Sequence, residues 1–596
     1  MRFKALKKDL LAGGIVFVLI LTVFWLSPVH QLTDSNFSML VSQSLLRHRT
    51  FALDQYAIQR LAPRYHDNTY KNGEMYQLEL VGPHLYYYMP PGSSVLSVPY
   101  VALMNALGIS AANADGTYNA DGEELIEASL AAILMAGLAS VFFLTSRLLL
   151  PIGWSVLIAL GGALGTQVWS TASRAMWSDT WGIFLLGLVV LMLLAEETGK
   201  RRANPVWLAS LLAWAYFVRP TNSVSILAVT VYLFIFHRRR FVPYAVTGAL
   251  WFAGFVAYSW YNFHQLLPNY FLANRLSFNS FGTAFAGNLF SPSRGLLVFV
   301  PVLLFVAYLL ARYRKHLASR PLLLLSLSVI TLHLFIVAGF TPWNGGFCYG
   351  PRYTTGLVPW FVLLAVMALR AWREDRLAAV TTHVLRWRAE AATGLALLVL
   401  SLLVNARGAI AQETWVWNIW PTNVDTVPGK IWDWRQPQFL AGIVRPPLPQ
   451  EFPAIAGRVN LAAPEADKFL WYGWSWSEPR IRWSDGREAA LVFALDEIND
   501  YVLHIRMGPF LARGHVDQQK VEVALNDRHL QQLLLKDEAA RVYSIALPKN
   551  LLKDKNILTF EFADAASPKS LKLSADGRRL AVRVEWIELQ SQSNAQ

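Results

Sequence analysis

Long apolar runs separated by short polar loops fill the first two thirds of the chain. Leu10–Leu26, Trp181–Ala195 and Leu296–Leu310 are nearly free of charge. With their flanks they are long enough to cross a hydrocarbon core of ~30 Å. Read this way, spans fall near 10–27, 126–147, 152–172, 179–196, 204–218, 222–236, 241–262, 295–311, 321–340, 355–370 and 391–407. Hydropathy drops after Asn405. Residues 409–450 are rich in Pro and Trp and read as a linker laid along the membrane surface. From about residue 470 the period becomes two, as in KVEVALNDRHL and LAVRVEWIEL, with turn signals at Asp485-Gly486, Asn526-Asp527 and Asp576-Gly577. Short alternating runs broken by such pairs predict strands of a β-sandwich. The predicted architecture is an α-helical polytopic membrane domain over 1–408, a linker over 409–450, and a C-terminal β-sandwich over 451–596. The Trp471, Tyr472, Trp474, Trp476 and Trp483 cluster either fills the sandwich core, docks on the membrane domain or offers stacking platforms to carbohydrate.

The basic residues orient the spans. They cluster at Arg2, Lys4, Lys7, Lys8; at Lys200, Arg201, Arg202; at Arg238, Arg239, Arg240; at Arg312, Arg314, Lys315, Arg320; and at Arg370, Arg373, Arg376, Arg386, Arg388. Each cluster adjoins an apolar run, so each is expected on the cytoplasmic side. An even number of crossings must then separate consecutive clusters. The segment 94–108 breaks that parity if it spans. It is short and follows Pro90, Pro91 and Gly92, so it reads as a helix lying in the outer face. About 11 spans remain, with the N-terminus inside and 28–125 one large outer loop. The expected location is the inner membrane of a bacterium, with the C-terminal part in the periplasm.

Composition supports this picture. Of 596 residues 54% are hydrophobic and 16% charged, where a soluble protein carries about a quarter charged. The net charge of +13 is explained by topogenic loops, so nucleic acid is not an expected partner. The single cysteine, Cys348, excludes an intrachain disulfide. The start, MRFKALKKDLLAGGIVFVLILTVFWLSPVH, lacks a small-x-small cleavage site and reads as an uncleaved first span.

Polar residues at the outer ends of spans are the candidate chemistry, because a charge at the membrane edge is costly unless paired or functional. Asp34 follows the first span in LTDSNFSML, and Asp179 opens a later one in RAMWSDTW. Arg219 lies in YFVRPTN, Arg294 in NLFSPSRGLL and Arg352 in GGFCYGPRYTTG. Lys71 joins them as a possible anion contact from the first loop. His66, Glu74, His84 and Tyr88 in that loop, with Asp67 beside them, and Trp343 in the later one are candidate substrate contacts. Two acids and several arginines suit a site that holds an anion and activates a hydroxyl. Simpler readings compete. Arg219 and Arg294 can snorkel or pair with Asp179, and Asp34 can cap the helix that begins near SNFSML. No close His/Cys/Asp spacing of a metal site is present, so no cofactor is expected, and a divalent metal is the disfavoured alternative.

The order of these features resembles the C superfamily of glycosyltransferases (GT-C), whose members include lipid A aminoarabinose transferases and protein O-mannosyltransferases. The segments TDSNFS, YYYMPPGSSVLSVP, LFSPSRGLLVFVPVLL and WNGGFCYGPRY carry the resemblance, and WYGWSWSEPRIRWSDG is similar to domains attached to such enzymes. The resemblance implies an inverting transfer from a polyprenyl-phosphate sugar to a hydroxyl of a periplasmic glycan, lipid or protein acceptor. It implies Asp34 as base and Asp179 as a residue orienting donor or acceptor. Arg294 and Arg352, with Lys71 or Arg219, would neutralise the leaving phosphate. Asp34 stands alone, without the double-acid motif of metal-dependent oligosaccharyltransferases. An O-antigen-ligase-like polymerase and a glycolipid transporter or flippase are the rival classes. The latter predicts broken helices carrying midplane charges.

Loop-charge parity makes a direct prediction. Alkaline phosphatase fused after Ala112 and at the C-terminus should be active at both sites. An inactive fusion at Ala112 beside an active C-terminal one would mean that 94–108 crosses.

Overall fold

The computed structural model describes residues 2–58, 76–378, 384–420, 422–574 and 576–592. His66, Asp67, Lys71 and Glu74 lie outside the described residues. The chain forms two compact units, Met1–Ala411 and Gln412–Gln596.

The first unit is helical. After α1 (Arg2–Leu26) come a short helix α2 (Ser38–His48), a hairpin of β1 (Leu78–Val81) and β2 (His84–Tyr87), and α3 (Gly92–Ala106). Then follow α4 (Ala120–Arg147), α5 (Ile152–Leu164), α6 (Ser178–Glu197), α7 (Pro205–Val218), α8 (Ser223–Phe236) and α9 (Arg238–Phe263). The unit closes with α10 (Phe281–Phe290), α11 (Leu296–Phe299), α12 (Val302–Arg312), α13 (Arg320–Ala338), α14 (Val358–Ala378) and α15 (Val384–Ile410). Among the described residues seven helices are long and apolar enough to cross a membrane: α1, α4, α6, α9, α13, α14 with its lead-in from Arg352, and α15. The shorter apolar helices α5, α7, α8 and α12 occupy the other predicted spans. α14 is the centre of the bundle, with 83% of its apolar window buried, whereas α9 has 11% and leaves its apolar side free for lipid. α3 has 15 residues, or ~22 Å at helical rise, too short for a ~30 Å core. It comes so close to the end of α7 that a Cβ on Gly92 would lie 2.6 Å from the Phe217 backbone, so only glycine fits there.

Two predicted spans are interrupted. The stretch 152–172 is α-helical only to Leu164 and continues through a π-turn over Val168–Ala172. The stretch 295–311 breaks between α11 and α12 at Val300-Pro301, where proline supplies no N–H. Backbone groups freed in an apolar setting must find partners; α15 supplies them at the second break and bonds a serine hydroxyl at the first. Asn405 Nδ2 donates to Phe299 O (2.9 Å), and its Oδ1 accepts from Ser170 Oγ (2.7 Å). Ser401 Oγ accepts from Val302 N (3.1 Å). Neither break carries a charged residue.

The second unit is a β-sandwich preceded by short turns. Its strands are β3 (Arg458–Asn460), β4 (Leu470–Tyr472), β5 (Trp474–Glu478), β6 (Ile481–Ser484), β7 (Glu488–Ala494), β8 (Tyr501–Pro509), β9 (Gln519–Leu525), β10 (Arg528–Leu535), β11 (Arg541–Leu547), β12 (Lys555–Phe562) and β13 (Val582–Ser591). One sheet runs β10-β9-β12-β7-β4 and the other β11-β8-β13-β6-β5, with β3 paired to β13. Asn526 and Asp527 both take positive φ in the β9–β10 turn, as a two-residue hairpin with the right twist requires. Alternate residues such as Val521, Val523, Leu525, Phe560 and Ile587 form the core between the sheets. The aromatic cluster divides. Trp474 is core, its Nε1 donating to Ala490 O, whereas Trp476 is exposed beneath the Arg578 guanidinium. In the segment expected as a linker, Lys430 is buried and donates to the carbonyls of Trp417, Trp420 and Thr422, which makes that region a compact knot.

Candidate active site

The site is assembled where α1, α7 and α13 end and where α2, α4, α6 and α14 begin. Arg174 is buried and donates to Phe24 O (2.6 Å) and Ser27 O (2.7 Å), the free carbonyls at the end of α1. Gln31 N returns a bond to Arg174 O (3.1 Å). The chain after α1 therefore lies against the segment that leads into α6. Asp34 stands on one of these strips and Asp179 heads the other.

Asp34 is not the cap of α2. Glu123, at the start of α4, does that work: its carboxylate accepts from the backbone N–H of Phe37 (2.8 Å), Met39 (2.6 Å) and Leu40 (3.1 Å), and from the Tyr118 hydroxyl. One turn on, buried Glu127 accepts from Ser38 Oγ (3.1 Å) and Met176 N (3.3 Å), joining α2 to the approach to α6. Asp34 is left free to face other groups.

Those groups form a row of alternating charge. Asp34 Oδ2 pairs with Arg352 Nη2. Arg352 Nε lies 3.9 Å from Asp179 Oδ2, and that oxygen accepts from Arg219 Nη1 at 2.5 Å. Arg219 also donates to Ser178 Oγ (3.0 Å) and Thr221 Oγ1 (3.1 Å). The Arg352 guanidinium stacks on Trp177 with 3.6 Å to the ring centre. Asp179, Arg352 and Arg219 are 0%, 6% and 6% exposed at the side chain, while Asp34 is 26% exposed. Asp34 is thus the member most open to solvent. The Tyr76 hydroxyl donates to its Oδ1 (2.7 Å), and the Tyr87 hydroxyl to its backbone carbonyl (2.6 Å). Burial opposes ionisation of Asp34, but the charge and hydrogen bond of Arg352, the Tyr76 hydroxyl and the charge of Arg275 outweigh it and hold the carboxyl below its ordinary value.

A narrow cleft opens beside Asp34, lined also by Ser35, Tyr87, Pro90, Ser93, Ser178 and Tyr270. Four sequence-predicted residues, Asp34, Asp179, Arg219 and Arg352, meet here. Tyr88 is one residue beyond the cleft wall and packs edge-on against Tyr270. The other described candidates do not join. Arg294 is buried and ties a loop: its guanidinium donates to Asn344 O (2.9 Å), Gly346 O (3.0 Å) and Ser293 O (2.7 Å). Trp343 lies over Gly287, where a Cβ would sit 2.2 Å from its ring. His84 is exposed and bonds Asp54 (2.7 Å). Glu123, Glu127, Trp177 and Arg275 were not singled out from the sequence. Arg275 bonds the Tyr353 hydroxyl at 3.4 Å and has no carboxylate within ion-pair distance among the described residues. Among those residues no group of three or more His, Cys, Asp or Glu side chains is placed to hold a metal ion.

The fold and site define a helical membrane protein with a charged, narrow cleft at one end of its helices. No known family profile matches the chain, and no curated protein matches it. Among solved structures it is similar to the arabinosyltransferase EmbB from Mycobacterium smegmatis, at 12% identity and a TM-score of 0.36, over 97% of this chain and 64% of that one. It is also similar to BtGH115A, a family GH115 4-O-methyl-α-glucuronidase with specificity for decorated arabinogalactans, at 11% identity and a TM-score of 0.16, over 32% of this chain and 28% of that one. The chain thus spans less than two thirds of either structure. Both scores are low, and the functional reading rests on this chain's own residues.

The Glu123 cap is testable. Glu123→Ala strands three backbone N–H groups, and a buried unsatisfied group costs ~1–3 kcal/mol. The melting temperature in detergent should fall clearly for Glu123→Ala and change little for Glu124→Ala, whose side chain is 40% exposed. Equal effects would show that the cap does not hold this end of the bundle.

Proposed function

We propose that the chain is a membrane glycosyltransferase of the GT-C type that moves a sugar from a polyprenyl-phosphate donor to an acceptor hydroxyl with inversion. The observation that carries this reading is the convergence of one accessible carboxylate, Asp34, with the Arg352–Asp179–Arg219 row at a cleft on one end of apolar helices. Asp34 takes the acceptor proton as the hydroxyl oxygen attacks the anomeric carbon. The bond from that carbon to the phosphate oxygen breaks, and its electron pair leaves with the phosphate. Arg352 and Arg275 neutralise the phosphate through charge-assisted hydrogen bonds. Asp179, locked by Arg219, holds Arg352 in place. Arg294 serves indirectly by securing the 344–346 loop next to Arg352. The loop charges support a cleft on the periplasmic side of an inner membrane, where a lipid-linked donor is available and a nucleotide sugar is not. A glycan, lipid or protein can supply the acceptor hydroxyl.

The transporter reading gains broken helices from the fold. The breaks at 165–173 and 300–301 are uncharged, and at the second the Phe299 carbonyl and Val302 N–H are satisfied by Asn405 and Ser401, whereas transporter sites use such breaks to bind substrate and ions. The transferase reading is therefore preferred.

Envelope glycans of a strain lacking the chain, compared by mass spectrometry with those of its parent, should lack one glycosyl residue, and the wild-type chain should restore it. Asp34→Asn keeps the shape but cannot take a proton, so at equal protein level its turnover should fall by ~10²–10⁴. Full restoration by Asp34→Asn would remove Asp34 as the base and, with it, the main ground for a transferase.

A further inference from the structure

In the free protein the proposed base is occupied. One oxygen of Asp34 is held by Arg352 and the other accepts from Tyr76. A carboxylate with both oxygens engaged, one of them by a cation, is a poor acceptor for a hydroxyl proton. The residue that engages it is also the one assigned to the donor phosphate. These two facts fit together only if Arg352 changes partner during the reaction.

Resting on the transferase reading, we propose that the donor phosphate displaces Asp34 from Arg352, so that Asp34 becomes a working base only when the donor is bound. The geometry supports an exchange in which Asp34 moves and Arg352 stays. Arg352 is fixed in plane by the stack on Trp177, and Asp179 holds its charge from the far side, itself anchored by Arg219. Asp34 is the exposed member and borders the cleft. Arg352 Nε has no hydrogen-bond partner among the described residues, nor does Asp179 Oδ1, so the guanidinium has donor capacity to spare. The swap replaces one anion by another on the same cation. Arg352 is never left without an anion, and Asp34 is released at the exposed end of the row, where a proton can reach it.

The groups facing Asp34 set the direction of its change. Arg352 from the head of α14, Arg275 from the α9–α10 connection and Tyr76 before β1 favour the carboxylate, whereas burial and Asp179 at the head of α6 oppose it. Pairing Arg352 with phosphate removes the strongest support, so the proton affinity of Asp34 rises. During transfer the acceptor O–H bond breaks and its proton goes to Asp34. The new C–O bond forms as the bond from the anomeric carbon to the phosphate oxygen breaks, and the phosphate keeps that electron pair against Arg352. When the polyprenyl phosphate leaves, Arg352 recaptures Asp34, whose proton returns to solvent through the cleft. Product release therefore resets the base.

The test is an infrared pH titration of the full-length protein carrying carboxyl-¹³C aspartate, with the Asp34 band assigned by difference against Asp34→Asn. The free protein should titrate below the ordinary aspartate value of ~3.9. Saturation with a polyprenyl phosphate should raise the proton affinity of Asp34 at least about tenfold, equivalent to one pKa unit. Folded Arg352→Gln should show the raised affinity without lipid and no further change with it. Binding of the lipid, seen as a higher melting temperature, with an unmoved or lowered Asp34 midpoint would overturn the exchange and leave the donor reading standing. Absence of any binding of polyprenyl phosphate, by melting shift and by direct equilibrium measurement, would overturn the donor reading and the exchange with it.

Discussion

The placement of this end of the first unit depends on one requirement: the buried charges of Arg352, Asp179 and Arg219 need partners of opposite sign in a low-dielectric setting, and Asp34 completes the row at its exposed end. Asp34, Arg352, Asp179 and Arg219 alternate in sign and sum to zero. Each stands on a different segment, namely the turn after α1, the lead-in to α14, the head of α6 and the end of α7. Removing one partner of a buried pair costs ~3–5 kcal/mol, because the other charge is stranded. The row therefore fixes four distant segments to one geometry, and the cleft beside Asp34 is what remains between them.

Around this row the polar demands of the backbone are met from the helices nearby. Arg174 closes α1, Glu123 opens α2, and Glu127 joins α2 to the approach to α6. These contacts keep the Asp34 turn in place without using Asp34 itself. That separation of duties leaves the Asp34 carboxylate, held by Arg352 and Tyr76, at the edge of a cleft in a region that is otherwise closely tied.

The residues of the row were legible in the sequence because each is a charge at the end of an apolar run, where cost marks function. Arg294 met the same criterion and proved to be a tie for carbonyls about fifty residues away, a partner that no local pattern reveals. Glu123 and Glu127 escaped notice because acids at a helix start are ordinary; their partners lie more than eighty residues earlier in the case of α2. The span positions were readable from hydropathy, and the interruption after Leu164 had a local signal that the span 152–172 passes over: the polar run Gly165-Thr166-Gln167 with Ser170, Thr171 and Ser173. In the sandwich, Trp474 and Trp476 share a parity and so should share a face. The register shift between Trp474 and Ser477 in the β5–β6 pairing undoes this and sends Trp476 outward.

The bonds that Ser401 and Asn405 make at the helix breaks have a consequence for biogenesis. α15 is the last helix of the first unit, so during synthesis the interrupted segments leave the ribosome long before their partners do. Until α15 is inserted, the Phe299 carbonyl, the Val302 N–H and the Ser170 hydroxyl lack the partners that Asn405 and Ser401 provide. The bundle can therefore reach its final hydrogen bonding only after translation has passed residue 405, which makes the last helix the checkpoint for assembly of the earlier ones.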